Sequence, residues 1–396
     1  MTIEQKIKGL SKKYFKQVVE IRRHLHQYPE LSFKEYETSK YIVSLLKKWD
    51  IEYEPGIAET GIVCYIKGKN PERRTIALRA DMDALPVEEK NNIAYKSKNK
   101  GVMHACGHDA HTASLLGTIL ILNDLKTEFE GTIKFIFQPA EEKLPGGAKL
   151  MIEEGVLKNP EPEIVIGQHV YPELQAGKIG FKTGAYMASS DEIYITIKGK
   201  GGHGAMPSKI NDTVLIASQI IVALQQITSR FAPTEIPTVL SFGKIIGNGA
   251  TNVIPDEVYI EGTFRTMDED WRNKAHQKIK EIAKGLAKSM GAKAEINIKV
   301  GYPVLINDDV VTQKAIKAAK QFIGNNNVVD LDFRMTSEDF AYYSQIKPSV
   351  FYRLGTATKE SLDCSPLHSA HFNIDEKALE TGTGTMAYLA IQFLDQ

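Results

Sequence analysis

The sequence predicts an α/β protein: a mostly parallel sheet with helices on both faces, interrupted by an inserted ferredoxin-like α+β domain. As far as about residue 182, apolar strand-like runs alternate with helical patterns, which is typical of a parallel sheet covered by helices. Over 183–299 the order becomes strand, helix, strand, strand, helix, strand, the split ferredoxin-like pattern. We therefore expect one domain from 1–182 together with 300–396, and a second domain from 183–299.

Each element follows from the spacing of apolar residues, at three to four positions for helices and in short runs or alternation for strands. The expected helices are Thr2–Gln27, Tyr36–Trp49, Ala110–Leu125, Asn211–Ser229, Glu269–Met290 and a last one near Asp375–Leu394. The expected strands are Gly61–Lys67, Thr75–Arg79, Gly131–Phe137, Glu163–Gly167, Ser190–Lys198, Thr238–Ile246, Glu257–Thr266, Lys293–Val300 and Ser349–Leu354.

The composition is that of an ordinary globular protein, with 396 residues, 42% hydrophobic and 25% charged. Lys+Arg and Asp+Glu both number 49, so the formal net charge is zero and no nucleic-acid or membrane-surface partner is expected. The segment Met1–Lys13 lacks the apolar region of a signal peptide. We also expect no apolar run approaching the roughly 18 residues of a membrane span.

The three cysteines, Cys64, Cys106 and Cys364, are odd in number and widely spaced, which argues against a disulfide framework. We therefore expect a cytoplasmic protein.

The stretch Val102–Thr112 holds three histidines, one cysteine and one aspartate where a loop enters a helix. Imidazole and thiolate are ligands that zinc, nickel and iron prefer. A histidine-rich turn can also be a solvated helix cap, so the stretch alone leaves both interpretations open.

Similar polar residues follow other expected strands. Asp81 and Asp83 follow one strand, Glu141 and Glu142 the next, and His169 a third. The carboxyl ends of parallel strands meet at one edge of a sheet, so these side chains are expected to converge with those of the 102–112 stretch. Histidine, cysteine and carboxylate together suit two metals roughly 3.5–4 Å apart.

The chain resembles the M20 metallopeptidases, and within them the aminoacylase-like amidohydrolases that include hippurate, N-acyl-amino-acid and auxin-conjugate hydrolases. The resemblance covers nearly the whole chain. It is carried by seven stretches in family order: Arg22–His26 with Pro29–Ser32, Leu78–Pro86, Met103–Asp109, Gln138–Glu142, Gly199–Pro207, Asn252–Pro255 and Gly262–Arg265.

This resemblance implies a set of metal ligands for two divalent ions, manganese, zinc, nickel or cobalt. The implied ligands are Cys106, His108, Glu142, His169 and His368. Cys106 would bridge the metals as a thiolate. The family's C-terminal His-Ser-Pro motif is here His368-Ser369-Ala370-His371, so His371 is a second candidate for the last ligand.

The resemblance also implies roles outside the ligand set. Glu141 would be the general base and Asp83 the carboxylate that orients a ligand histidine. In the inserted domain, His203 would donate to the carbonyl oxygen as it becomes negative, while Asn252 and Arg265 would bind polar groups of the substrate. Without the resemblance, His203 could be a turn residue and Arg265 a surface ion-pair partner.

The expected activity is metal-dependent hydrolysis of an N-acyl amino acid to a free amino acid and a carboxylate, in a homodimer that pairs through the inserted domain. The alternative within the superfamily is a dipeptidase or carboxypeptidase. A catalytically silent binding protein on the same fold would be expected to lack a ligand or the base, yet all are present.

Overall fold

The structure is a computed structural model and describes residues 1–358 and 365–395. Cys364 lies outside the described residues. Two compact units are present: the first comprises Met1–Gly184, Ile306–Asp332 and Asp339–Gln396, and the second Ala185–Leu305 with Phe333–Glu338. The chain passes from the first unit to the second after Gly184, returns at Ile306, and contributes the short segment Phe333–Glu338 to the second unit before returning again.

Strands and helices alternate through most of the chain. The strands are β1 Glu52–Ile57, β2 Gly61–Lys67, β3 Thr75–Asp81, β4 Thr132–Gln138, β5 Ile164–Gln175, β6 Ile179–Phe181, β7 Gly184–Met187, β8 Asp191–Lys198, β9 Gly202–His203, β10 Thr238–Ile246, β11 Val253–Ile254, β12 Glu257–Thr266, β13 Lys293–Val300, β14 Leu305–Asn307, β15 Val328–Asp330 and β16 Ser349–Ala357. The helices are α1 Ile3–Gln27, α2 Tyr36–Lys48, α3 His108–Asp124, α4 Gly147–Glu153, α5 Thr213–Leu224, α6 Glu269–Ser289, α7 Asp309–Ile323, α8 Ala341–Ser344 and α9 Ala378–Leu394.

The first unit is built on an eight-stranded sheet of order β1-β2-β4-β3-β5-β16-β6-β15. Its central strands β4, β3, β5 and β16 are mutually parallel. Antiparallel pairs involving β1, β2 and β6 make the sheet mixed. The carboxyl ends of the four central strands therefore meet at one edge, as the α/β prediction requires.

Helices cover both faces of this sheet. Successive residues of a strand point to opposite faces, so Phe351 and Leu354 of β16 lie on different sides. Leu354 packs against Gly382 of α9, whereas Phe351 packs against Phe340 at the start of α8. The predicted fold class of this unit is confirmed.

The second unit holds an antiparallel sheet of order β10-β12-β8-β13, against which α5 and α6 pack. Its chain order is β8, α5, β10, β12, α6, β13, the split pattern expected from the sequence. A separate two-stranded ribbon joins β9 to β11.

One helical stretch is long and apolar enough by length and composition to cross a membrane, although it contains no continuous apolar run of that length. It is Thr213–Phe231, 19 residues with mean hydropathy 1.3. Ser, Thr and Gln interrupt its apolar residues. Ile216, Ile220 and Leu224 of this stretch are buried in the core of the second unit, and one such helix is weak evidence for a membrane span.

Candidate metal centre

The cysteine and first histidine of the site lie on either side of Gly107, where the loop enters α3. Gly107 precedes the helix with φ of 81°, a left-handed conformation that favours glycine. A Cβ at Gly107 would lie 2.5 Å from Val170 Cγ2, so no larger residue fits. Cys106 and His108 are both buried. This glycine therefore lets the segment that carries Cys106 and His108 approach Val170, in the middle of β5.

Two groups of potential ligands share Cys106. One contains Cys106, His108 and His169, and the other contains Cys106, Glu142 and His368; within each group the ligand atoms all lie within 4.8 Å of one another. Cys106 Sγ is 3.5 Å from His169 Nε2, and Glu142 Oε1 is 3.3 Å from His368 Nε2. The first unit thus brings together the five ligands that the resemblance implied.

The donor atoms of these groups fit a bound cation. His108 Nε2 and Glu142 Oε1 are buried and make no hydrogen bond, although buried polar atoms are usually partnered. They are 3.9 Å apart, too far for a direct hydrogen bond. A metal ion between them would satisfy both atoms.

The electrostatics also favour positive charge. Burial alone lowers the pKa of His108, but Asp81, Asp83 and Glu142 together raise that pKa to about 10. Burial, and then the charges of Glu142, Glu141 and Asp81, raise the pKa of the Cys106 thiol well above its usual value. Bound cations would reverse this second effect and favour the thiolate.

Asp83 connects the segment after β3 to the segment after β4. Its carboxylate is 3.1 Å from His108 Nδ1 and accepts the backbone N–H groups of Glu141 and Glu142 at 3.1 and 3.0 Å. The hydroxyl of Ser32 donates to it as well. Burial raises the pKa of Asp83, but these hydrogen bonds outweigh burial and hold the pKa below its usual value. Asp83 thus contacts His108 and the backbone of the Glu-Glu pair.

His111 holds His169 indirectly. His111 Nε2 accepts the N–H of Val170 at 2.8 Å, so Nδ1 carries the proton and donates to Asp81 at 2.6 Å. His169 Nδ1 donates to the carbonyl of the same Val170 at 2.7 Å. His169 Nε2 is therefore unprotonated and directed toward Cys106. The further group Asp81, His108 and His111 is internally bonded through His111.

A buried ion network lies behind the strand ends. Arg79 donates to Asp81 at 2.6 Å and to Asp339 at 2.7 Å, and both carboxylates are fully buried. Asp339 also accepts from the Gln138 side chain and from the N–H of Ala148, in the first turn of α4. Asp339 therefore supports β3, β4 and α4 together.

The two candidates for the last ligand are both exposed but have different surroundings. His368, at φ of 66°, donates its backbone N–H to the Ala105 carbonyl, and its side chain lies beside Glu142 in the group that includes Cys106. His371 belongs to none of the potential metal-holding groups within 1–358 and 365–395.

The three candidates of the inserted domain lie in the second unit. His203 and Asn252 are exposed neighbours on the β9–β11 ribbon, where Gly204 N–H donates to the Asn252 carbonyl. Arg265, on β12, is half-buried and donates to the Met335 carbonyl and the Ser337 hydroxyl. Burial lowers its pKa.

The sequence motifs contain most of the supporting residues but do not reveal what each one contacts. Ser32, Arg79 and His111 lie in the Pro29–Ser32, Leu78–Pro86 and Val102–Thr112 stretches. Asp339 lies in Thr336–Phe340, a stretch that also resembles a family motif and is expected to cap a helix near the site. Glu35 lies outside these stretches, and its partner Ala140 is 105 residues away in the chain, as Asp339 is 260 residues from Arg79; only the fold reveals such pairs.

Similarity to characterised proteins is extensive. An N-acetyl-L-cysteine deacetylase of Bacillus subtilis is 42% identical over 364 residues, covering 92% of this chain and 85% of the relative. Thermostable carboxypeptidase 2 of Saccharolobus solfataricus is 39% identical over 396 residues, covering 99% of both. The solved structure of the Bacillus subtilis YXEP protein, described as a dinuclear metal binding peptidase from the M20 family, is 36% identical with a TM-score of 0.83 and covers 97% of this chain and 99% of that one.

The family resemblance inferred from the motifs is thereby confirmed. The sequence pattern of peptidase family M20/M25/M40 matches residues 77–392, which include the whole second unit, most of the first unit and all five candidate ligands. This chain is a member of peptidase family M20/M25/M40.

Proposed function

We propose that the protein is a metal-dependent amidohydrolase that cleaves N-acyl amino acids to a free amino acid and a carboxylate. The observation that supports this most directly is the pair of ligand groups sharing Cys106, with Glu141 beside them. The deacetylase relative acts, by its name, on an N-acyl amino acid.

The proposed ligands are Cys106, His108 and His169 for one ion, and Cys106, Glu142 and His368 for the other. Two divalent ions would polarise the acyl carbonyl and lower the pKa of a water molecule. Mixed thiolate, imidazole and carboxylate ligation admits manganese, zinc, nickel or cobalt.

Glu141 is the proposed general base. It lies within 4.8 Å of His108 and Glu142, and its backbone N–H is held by Asp83. Glu141 would take a proton from the water that attacks the acyl carbon, and would deliver it to the amine nitrogen as the C–N bond breaks. Asp83 would orient His108 through Nδ1.

His203, Asn252 and Arg265 are proposed to bind the substrate. Ala205 N–H donates to His203 Nδ1 at 3.1 Å, so the exposed Nε2 of the neutral ring carries the proton and could donate to a developing oxyanion. Arg265 has two neutral oxygen partners, which leaves its charge suited to the substrate carboxylate. Asn252, next to His203, would bind a polar group.

The protein is proposed to be a cytoplasmic homodimer that pairs through the second unit. Buried free thiols at Cys64 and Cys106 are in keeping with a reducing compartment. The edge strand β10 and the apolar face of α5 offer an isologous surface.

The carboxypeptidase relative keeps peptide hydrolysis as the second candidate. Both reactions use the same metal centre, so the substrate alone separates them. The test is a panel of N-acetyl, N-benzoyl and indole-acetyl amino acids together with dipeptides and longer peptides, assayed by release of free amine.

The panel would be run on the protein as purified, after chelation, and after addition of manganese, zinc, cobalt or nickel. We expect chelator-sensitive cleavage of N-acyl amino acids, restored by one metal. Cleavage of peptides alone would establish the second candidate, and failure with every substrate and metal would overturn both.

A further inference from the structure

The turn that follows β4 carries both the proposed base and a proposed ligand, and its backbone is unusual. Ala140 has φ of 51°, in the left-handed region that non-glycine residues rarely adopt. The carbonyl of Ala140 accepts the N–H of Gly147, which closes the loop behind Glu141 and Glu142. Such a conformation persists only where surrounding groups hold it in place.

Three successive N–H groups of this turn each donate to a buried carboxylate. Glu141 and Glu142 donate to the two oxygens of Asp83. Ala140 donates to Oε1 of Glu35, at 2.9 Å. The Glu35 carboxylate comes from the loop before α2, 105 residues earlier in the chain. The turn is thus held from two sides by two different carboxylates.

Glu35 is itself fixed by two further contacts. The N–H of Phe33 donates to Oε1 at 3.0 Å and the Thr60 hydroxyl lies 2.8 Å from Oε2. The residue is 0% exposed, and burial together with the charge of Asp83 raises its pKa to about 7. A buried carboxylate is costly, and the N–H groups of Ala140 and Phe33 together with the Thr60 hydroxyl offset that cost.

We propose that Glu35 is a positioning residue for the reaction: by accepting the Ala140 N–H it fixes the direction in which Glu141 and Glu142 leave the turn. This inference rests on the proposed function, in which Glu141 is the base and Glu142 a ligand. Glu35 does not touch the substrate or the metals. Its effect is transmitted through the backbone of the turn.

The key comparison is between Glu35→Gln and Glu35→Ala. A glutamine side-chain oxygen can still accept from Ala140 and Phe33, while its NH₂ group donates to Thr60 Oγ1, so the turn keeps its hydrogen bonds. Alanine removes the three hydrogen bonds made by the Glu35 side chain. We expect Glu35→Ala to lower kcat about 100-fold, the scale of a small misplacement of catalytic groups, with KM changed less than about 3-fold. Glu35→Gln should restore kcat to within about 5-fold of wild type.

Glu30→Ala is the matched control. Glu30 lies in the same loop and accepts the backbone N–H groups of Glu37 and Thr38, in the first turn of α2. This variant therefore removes a carboxylate that binds backbone N–H groups of α2 and not those of the turn after β4. We expect a lower melting temperature with kcat within about 3-fold of wild type. Equal loss of kcat in Glu30→Ala and Glu35→Ala would overturn the positioning role.

Metal retention gives a second readout that needs no substrate. Displaced Glu142 should weaken one of the two ion sites, so Glu35→Ala dialysed against a chelator should lose one equivalent of metal at a lower chelator concentration than wild type and Glu35→Gln. If wild type cleaves no substrate, the proposed function fails, and retention alone then decides the role of Glu35. Unchanged retention in Glu35→Ala, with or without wild-type activity, contradicts the inference.

Discussion

At the scale of single residues, Glu141 carries the most direct prediction. Glu141→Gln keeps the size of the side chain and the backbone N–H bonded to Asp83, but an amide cannot accept a proton from water. General-base catalysis contributes about 10²–10⁴-fold, so kcat should fall by that factor. Metal content, measured by elemental analysis, should stay at the wild-type level. Near wild-type turnover would rule out Glu141 as the base.

The chemistry-bearing residues and the supporting carboxylate Asp83 could be predicted from sequence, whereas most other supporting contacts could not. Cys106 with His108, and Glu141 with Glu142, are close neighbours in the chain and follow a glycine-hinged loop or a strand, so local patterns place them. Glu35 reaches Ala140 across 105 residues and Arg79 reaches Asp339 across 260. Such pairs depend on strand order, and a single sequence does not encode strand order in any local pattern.

Between residues and elements, the turn after β4 depends on the absence of a side chain at Gly147. A Cβ there would lie 1.8 Å from the Pro139 carbonyl oxygen, a distance that no side-chain rotation relieves. Gly147→Ala should therefore lower both the melting temperature and kcat, because the turn that carries Glu141 must shift. Gly285→Ala is the control: nothing lies within 4 Å of its Cβ on α6, so that variant should be neutral or stabilising by about 0.5–1 kcal/mol. Equal melting temperatures for the two variants would contradict this account of the turn.

The elements of the second unit are joined by a buried ion cluster. Asp191 of β8 accepts from Arg272 and His276 of α6 and from the N–H of Gly301. Burial raises the pKa of Asp191, but the hydrogen bonds from His276 and Arg272 lower it by a larger amount, so the pKa lies below its usual value. A carboxylate with a lowered folded-state pKa stabilises above its unfolded pKa, about 3.9, and this contribution is lost as pH falls through the folded-state value.

Asp191→Asn should therefore destabilise the second unit by about 1.5–3 kcal/mol at pH 7, the scale of hydrogen bonds to charged groups, because Arg272 then keeps only Glu269 as a carboxylate partner. The stability difference between wild type and variant should be constant from pH 7 to pH 5 and should shrink below about pH 4. Urea unfolding followed by tryptophan fluorescence measures it, since Trp271 lies on α6 next to Arg272. A difference that grows on acidification would show that the ion cluster does not stabilise this unit.

Element prediction succeeded where apolar residues formed a run or a regular alternation, and failed where strands were short or interrupted. β2, β10, β12 and β13 have the predicted bounds, and α3 begins two residues earlier than expected. β1 was missed because Pro55 and Gly56 interrupt it; the pairing with β2 shifts register at that point. Proline and glycine are tolerated there because β1 is an edge strand of the sheet.

At the scale of the whole molecule, the second unit has exposed apolar side chains on α5 and β10 whose role the proposed metal centre does not explain. Leu215 and Val222 lie seven residues apart on one face of α5, and they are 47% and 72% exposed. Ile245 on the edge strand β10 is 51% exposed. An edge strand with exposed apolar residues invites pairing with another chain, and a symmetric dimer would bury both features at once.

The double variant Val222→Lys with Ile245→Lys should therefore be monomeric where wild type is dimeric, because each dimer would bring four lysines into an apolar interface without partners. Light scattering coupled to size exclusion measures the mass directly, against 44.1 kDa for one chain. Val310→Lys is the matched control, since Val310 is 65% exposed on α7 of the first unit and should leave the dimer intact. A monomeric wild type would contradict the homodimer proposal. If the double variant stays dimeric and Val310→Lys becomes monomeric, the interface lies in the first unit. In the proposed dimer, the partner subunit covers the exposed apolar side chains of Thr213–Phe231. If the interface lay elsewhere, the exposure of these side chains would need another explanation.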